Sequence, residues 1–271
     1  MTSVRILTNA VSEGANELTN RLRELGVNVI RVRDSAGKVV TRPRVLTVKW
    51  GCFQRQTQVP AGTRVLNNLA GQTVLNKLLC FQALQTAGVP IPAFTSDMAV
   101  ANGWLSANER IYERHTLSGS GGDGIRVVRQ GTAAAQLQRA PLYTKGMLGK
   151  RREYRIHVFN VDGVQQIFVQ QKMRRQGYTD NSAFSNDVRN LDGGWVFAHN
   201  EIQPPRTVTV DAAVAAVTAL GINFGGVDLI EMDAVAGGSV VLEVNSAPGL
   251  QGATAGFYAQ SIQSVIQAGG I

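Results

Sequence analysis

Residues 225–249 of this 271-residue chain carry its densest chemistry. Gly225-Gly226-Val227-Asp228-Leu229-Ile230 is an apolar run bearing one acid. Val240-Val241-Leu242-Glu243-Val244-Asn245-Ser246-Ala247-Pro248-Gly249 is a second run, bearing an acid and an amide. Both read as strands, with Gly237-Gly238 as the hairpin turn between them. Side chains alternate across a strand, so Glu243 and Asn245 point one way and Val244 the other. Asp228 on the partner strand can share their face. Two carboxylates and an amide oxygen on one sheet surface make a hard, all-oxygen site. Mg²⁺ suits it, because that ion keeps several waters and takes one or two carboxylates along with substrate phosphates. Pro248-Gly249 then ends the strand.

A second polar strand precedes this pair. In Glu153-Tyr154-Arg155-Ile156-His157-Val158-Phe159, Tyr154, Ile156 and Val158 share one face, and Glu153, Arg155 and His157 share the other. The pattern predicts a half-buried strand. Its hairpin partner is Ile167–Met173, reached across Asp162-Gly163, with Arg174 and Arg175 just beyond. Charge on a sheet surface is costly unless it is solvated or faces an anion. His157 reads as a structural group, and no Ser/His/Asp arrangement or histidine metal cluster is visible.

The other elements must hold these strands in place. Val4–Leu7 reads as a strand, Leu18, Leu22 and Leu25 as a helix closed by Gly26, and Val27–Val32 and Val45–Val48 as two further strands. This is a βαβ unit and favours a parallel sheet. No Gly-x-Gly-x-x-Gly follows the first strand, so a dinucleotide site is not supported. A helix is expected over about 71–87, with Leu75, Leu78, Leu79 and Leu84 as its apolar face. It carries Lys77 and stops at Gly88, before Pro90 and Pro92. The strand Arg110–Arg114 leads into Ser118-Gly119-Ser120-Gly121-Gly122-Asp123-Gly124, and Ile125–Val128 is the next strand. Glycine lets backbone N–H groups approach phosphate closely, although the loop lacks the Gly-Lys-Ser/Thr of a Walker motif. Leu142-Tyr143-Thr144 follows the small residues Thr132–Ala135. A long polar loop, 176–194, contains Arg189, Asn190 and Gly193-Gly194, and long loops in compact domains are often functional. A helix over Asp211–Leu220, with Asp211 favourable near its N-terminus, and a packing helix over Phe257–Ile266 complete the reading.

Composition fits such a protein. Hydrophobic residues make up 44% and charged residues 17%, as in a globular chain, and the length allows one large domain or two to three small lobes. A net charge of +8 favours anionic partners: ATP, acidic peptides or nucleic acid. Cys52 and Cys80 have no CxxC neighbour, so they signal neither zinc nor a redox pair and are expected to be buried thiols in a reducing compartment. Met1–Ala10 lacks a signal-peptide core, and the Ala-rich run 212–222 is too short to span a membrane. No membrane association is expected, and the cytoplasm is the expected location.

The two metal-bearing strands, with Glu-x-Asn-x-x-Pro-Gly on the second, resemble the metal-binding end of the ATP-grasp superfamily. That group includes glutathione synthetase, D-alanine–D-alanine ligase and the ligases that add glutamate to ribosomal proteins. The resemblance runs from about residue 67 to 252. It implies an α/β ATP-grasp fold in three lobes: residues 1–66, a central lobe over 67–140 with a Gly-rich lid, and a C-terminal lobe over 141–271 with the metal site. It implies two Mg²⁺ ions, for which Mn²⁺ could substitute, on Asp228, Glu243 and Asn245. ATP would be met by Lys77, Arg114, Gly121, Gly122, Glu153 and Lys172, with Leu142, Tyr143 and Thr144 passing the adenine. Many members carry lysine where this chain has Arg114, and arginine can still clamp phosphate through two N–H groups. Arg155, Arg174 and Asn190 would serve the reacting phosphoryl and acyl groups, and Arg175 and Arg189 the substrate.

The expected activity is ATP-dependent carboxylate–amine ligation through an acyl phosphate. Catalysis would rest on positioning and electrostatics, where one oriented donor is worth ~3 kcal/mol. The substrates would be an acidic carboxylate and an amine, drawn from amino acids, peptides or a protein tail. The rivals are an ATP-grasp kinase acting on a hydroxyl, and a basic nucleic-acid-binding or scaffold protein without catalysis. The latter is disfavoured by the intact Asp/Glu/Asn set and the absence of a nucleic-acid motif. The compact form is also similar to ligase-like proteins of bacteriophages, which would act in a bacterial host's cytoplasm. A homodimer is compatible with the sequence.

Overall fold

The computed structural model describes residues 3–8, 12–33, 45–51, 64–67, 73–118, 121–131, 136–178, 186–233 and 238–269. Cys52, Gly71, Gly119, Ser120, the run 132–135 and Gly237 lie outside them. β1 (Ser3–Thr8), β2 (Asn28–Arg33), β3 (Val45–Trp50) and β4 (Val65–Leu66) form a parallel sheet in the order β2-β1-β3-β4. The connecting helix α1 (Glu13–Glu24) starts where the Ser12 hydroxyl accepts the Ala15 N–H, and it buries Leu18 and Leu22. It stops at Gly26, whose φ of 76° suits glycine.

The next helix, α2 (Lys77–Thr86), starts about six residues later than its apolar pattern suggests. The Asn76 side chain accepts N–H groups from Leu78 and Leu79, and a capping residue has extended backbone that the helix cannot run through. Leu75 therefore precedes the helix and Leu79 is exposed. The buried face is Cys80, Phe81 and Leu84. Capping thus places Lys77 at the first helical position.

β5 (Phe94–Thr95), α3 (Met98–Ser106), β6 (Ile111–Arg114), β7 (Ile125–Val128) and β8 (Leu142–Lys145) build a second, antiparallel sheet in the order β5-β8-β6-β7. The sequence reading did not include α3, which begins at the Asp97 cap and buries Ala101 and Leu105. β8, read as the start of the last lobe, hydrogen-bonds into this sheet.

The third sheet carries the expected site residues Glu153, Arg155, Lys172, Asp228, Glu243 and Asn245. β9 (Lys150–Val161), β10 (Val164–Arg174), β11 (Trp195–Ala198), β12 (Phe224–Met232) and β13 (Ser239–Asn245) pair antiparallel in the order β11-β10-β9-β12-β13. Asp162 and Gly163, both at positive φ, make the tight β9–β10 turn. One face of the sheet packs Tyr154, Ile156, Val158, Val227 and Leu229 against α4 (Thr207–Ala219). On the other face, Phe159 and Phe224 meet the first sheet and α5 (Ala253–Gly269). Strand β9 is thus covered on both sides over much of its length, where alternation alone suggested a half-buried strand. Asn67 ties the first sheet to the third: its side-chain oxygen accepts the N–H groups of Asn223 and Phe224, and its amide donates to the Phe224 carbonyl.

Asp211 does not serve the start of α4. The helix begins at Thr207, so Asp211 lies in its second turn, beyond the reach of the terminal partial charge. Glu231 from β12 takes that place. Its Oε2 accepts the Arg206 N–H at 2.9 Å and the Thr209 hydroxyl at 3.0 Å. No described helix is long and apolar enough to cross a membrane.

Candidate active site

Sheet register lines up one row across four strands: Gln170 on β10, Arg155 on β9, Asp228 on β12 and Glu243 on β13. Residues directly opposite one another share a face, so the two acids and the arginine stand together. Arg155 donates from Nε and Nη2 to the two Asp228 oxygens at 2.6 and 2.7 Å. Burial works against the Arg155 charge, but Asp228 outweighs it and the pKa rises. Glu243 meets Lys77 Nζ at 3.2 Å from the start of α2. Asn245 is one row on, opposite Gly226. A Cβ at Gly226 would stand 2.9 Å from Pro248 Cβ, so glycine lets the 246–249 segment fold back over the sheet beside Arg155. The expected alternation of Asp228, Glu243 and Asn245 onto one face holds.

A second cluster lies one step along β9. Glu153 accepts Lys150 Nζ at 2.5 Å and is flanked by Lys172 at 3.4 Å and Arg189 at 3.8 Å. Burial lowers the Lys150 pKa despite the Glu153 pairing. The β6–β7 hairpin brings Arg114, Gly121 and Gly122 to the same space. Burial lowers the Arg114 pKa, the Glu243 charge opposes this, and the buried Nε of Arg114 has no hydrogen-bond partner among the described residues. An orphaned guanidinium N–H of this kind is a natural seat for an anion.

The segment 186–190 crosses to that hairpin. Asn190 Nδ2 donates to the Gly121 carbonyl at 2.9 Å, and Asp187 pairs with Arg110 at 2.8 Å and with Arg129. A Cβ at Gly122 would overlap Val188, so the segment needs glycine there to approach so closely. Between these walls lies a cleft of about 830 Å³.

Most of the expected site residues converge on this cleft: Arg114, Gly121, Gly122, Thr144, Glu153, Arg155, Lys172, Arg189, Asn190, Asp228, Glu243 and Asn245 all line it. Lys77 reaches it through Glu243. Tyr143 instead buries its side chain in the second sheet's core, where its hydroxyl donates to the Gln138 carbonyl, and Leu142 is buried outside the cleft lining. Arg174 and Arg175 are exposed at the end of β10, outside the lining. His157 is sealed under α5. Its two ring nitrogens face Tyr258 Oη at 3.0 Å and Gln170 Oε1 at 2.8 Å, as expected of a structural histidine. Lys150, Trp195 and Phe197 also line the cleft, and the sequence reading did not single them out. Lys150 was legible only as part of the Lys150-Arg151-Arg152 run, and the rings as ordinary strand residues.

The donor set fits Mg²⁺ in a specific way. Among the described residues, no three of Asp, Glu, His and Cys gather to hold a metal alone. Asp228, Glu243 and Asn245 supply two carboxylates and an amide oxygen, so an ion there would complete its shell with water and ligand oxygens, as Mg²⁺ does beside phosphates.

No protein-family model and no curated protein matches the sequence. Solved structures do. The ATP-grasp ligase PsnB complexed with a minimal precursor matches at 16% identity over 97% of this chain and 99% of that one, with a TM-score of 0.65. PsnB was also solved with Mg and ADP. D-alanyl-alanine synthetase A from Vibrio cholerae O1 biovar eltor matches at 14% identity over 98% and 97%, with a TM-score of 0.65. D-cycloserine synthetase DcsG matches at 18% identity over 96% and 98%, with a TM-score of 0.63. The chain has the ATP-grasp fold.

Proposed function

We propose that this ATP-grasp chain is an ATP- and Mg²⁺-dependent carboxylate–amine ligase. The observation that carries the proposal is the Arg155–Asp228–Glu243 row on the floor of the cleft. The substrate carboxylate oxygen attacks the γ-phosphorus of ATP, the bond to ADP breaks, and an acyl phosphate forms. The amine nitrogen then attacks the acyl carbon, phosphate leaves with the bonding pair, and the nitrogen loses its proton to give the amide.

The chain's own residues bind and orient. Lys77, Arg114 and Lys172 hold phosphate oxygens, and backbone N–H groups of the Gly121-Gly122 loop cover them. Arg155 stands nearest the transferred phosphoryl group, with Arg189 and Asn190 toward the acyl phosphate. Thr144 and the residues after it flank the base. Arg174 and Arg175 have no part in this scheme. Asp228, Glu243 and Asn245 would hold Mg²⁺, or Mn²⁺ in its place, which neutralises phosphate charge when bound. Lysine and arginine outnumber aspartate and glutamate seven to four in the described lining, which favours an acidic carboxylate substrate.

Phosphate release from ATP, screened with amino acids and short acidic peptides and followed by mass spectrometry, tests the proposal. The expected product is an amide formed together with ADP and free phosphate. A stable phosphorylated product, with no phosphate released, would replace ligation with kinase chemistry.

A further inference from the structure

The cleft holds its cations in two ways. Asp228 cancels the charge of Arg155, while Glu153 is one carboxylate shared among Lys150, Lys172 and Arg189. Acids alone therefore leave positive charge in excess around Glu153. The second hold comes from the edge strand β11. Trp195 and Phe197 are two residues apart on that strand, so both rings stand on its cleft side.

Three cations rest on these rings. The Arg155 guanidinium carbon and Lys172 Nζ each lie 4.2 Å from the centroid of Phe197, and the Arg189 guanidinium carbon lies 4.1 Å from that of Trp195. Register explains the convergence: Lys172 is the cross-strand partner of Phe197, and Arg155 reaches from the row of Gln170 on the intervening strand. An aromatic face attracts a cation through its quadrupole and carries no net charge. A carboxylate in the same place would cancel the cation it held. Two cations gathered on one ring also repel each other, and an anion between them relieves the repulsion.

We infer that Trp195 and Phe197 are positioning residues whose ring faces hold Arg189, and Arg155 with Lys172, ready for the phosphates of the nucleotide. The inference rests on the ligase reading of the cleft. It assigns strand β11 a function that a strand of four residues at the edge of a sheet would not otherwise have. Lining the cleft with aromatic rings keeps its cations fixed and its potential positive.

The test replaces Phe197 with phenylalanines carrying one, two and three ring fluorines, which keep the shape of the side chain while removing the negative potential of its face. Mg-ATP affinity is read by calorimetry and stability by thermal melting. The dissociation constant should climb with each fluorine, reaching on the order of tenfold at three, with melting unchanged. Phe197→Trp should bind within about threefold of wild type, and Phe197→Leu should resemble the trifluorinated protein. A flat fluorine series in a protein that binds Mg-ATP and melts normally would overturn the inference and leave the ligase reading standing. Failure of the wild-type protein to bind Mg-ATP would remove the ligase reading and this inference together.

Discussion

Strand β12 carries two acids three residues apart, and they face opposite ways. Asp228 looks into the cleft, where it meets Arg155 and stands in register with Glu243. Glu231, fully buried, looks into the α4 side, where it accepts the Arg206 N–H and the Thr209 hydroxyl and lies 3.6 Å from Arg152. Burial raises the Glu231 pKa, but these hydrogen bonds and the Arg206 charge outweigh it, and the net shift is downward. Its hydrogen bonds all go to the start of one helix and its neighbours, so its effect is architectural. Asp228 belongs to the row that the proposed function assigns to phosphate and metal. On the proposed reading, two carboxylates on one strand thus divide into scaffold and site by face alone.

Substitution should separate them. Asp228→Asn should reduce ATP-dependent phosphate release by about two orders of magnitude or more, as expected for loss of an oriented charge in an active site. Its effect on stability should be smaller than that of Glu231→Ala. The latter removes the α4 cap and leaves the neighbouring arginines without their buried partner, a loss of about 3 kcal/mol in urea unfolding. Mg-ATP affinity of the folded Glu231→Ala protein should stay near wild type. Equal loss of ATP affinity in both variants would erase the distinction between the two faces.

Strand β9 repeats the contrast between Arg155 and His157, two residues apart on one face. Burial pushes the His157 pKa down to about 4, against the Gln170 hydrogen bond and with help from the Arg155 charge. A histidine lowered in the folded state protonates first in the unfolded chain. Its contribution to stability is therefore full above pH ~6.5 and is lost as pH falls from there to about 4, a change of about 3 kcal/mol. Wild-type unfolding free energy should slope downward through that window, and His157→Gln should flatten the slope. The smallest effect belongs to Asp211→Asn, which should shift stability by no more than about 0.5 kcal/mol because the start of α4 is served by Glu231. A larger loss would restore Asp211 to the terminus.

Period-two alternation made the site strands legible. It put Glu243 and Asn245 on one face, and Glu153, Arg155 and His157 on one face, and both hold. Locally signalled turns were legible too, at Gly26 and at Asp162-Gly163. Where an element's limits depend on a cap, the apolar pattern misled. Asn76 ends the backward run of α2 through its own side chain, and α4 is capped by a residue 25 positions away from Arg206. The Arg155–Asp228 pair joins residues 73 apart, and only sheet register reveals it. The ring platform of β11 was illegible for the same reason. Trp195 and Phe197 look like ordinary β-formers until the 186–190 segment lays Arg189 over the first and β10 and β9 lay Lys172 and Arg155 over the second.

The most direct measurement is calorimetric titration of Mg-ATP into the wild-type protein and into Glu243→Ala, each with and without magnesium. The account predicts magnesium-dependent binding by wild type that the folded variant loses. No binding by wild type, or equal binding by both proteins, would contradict it.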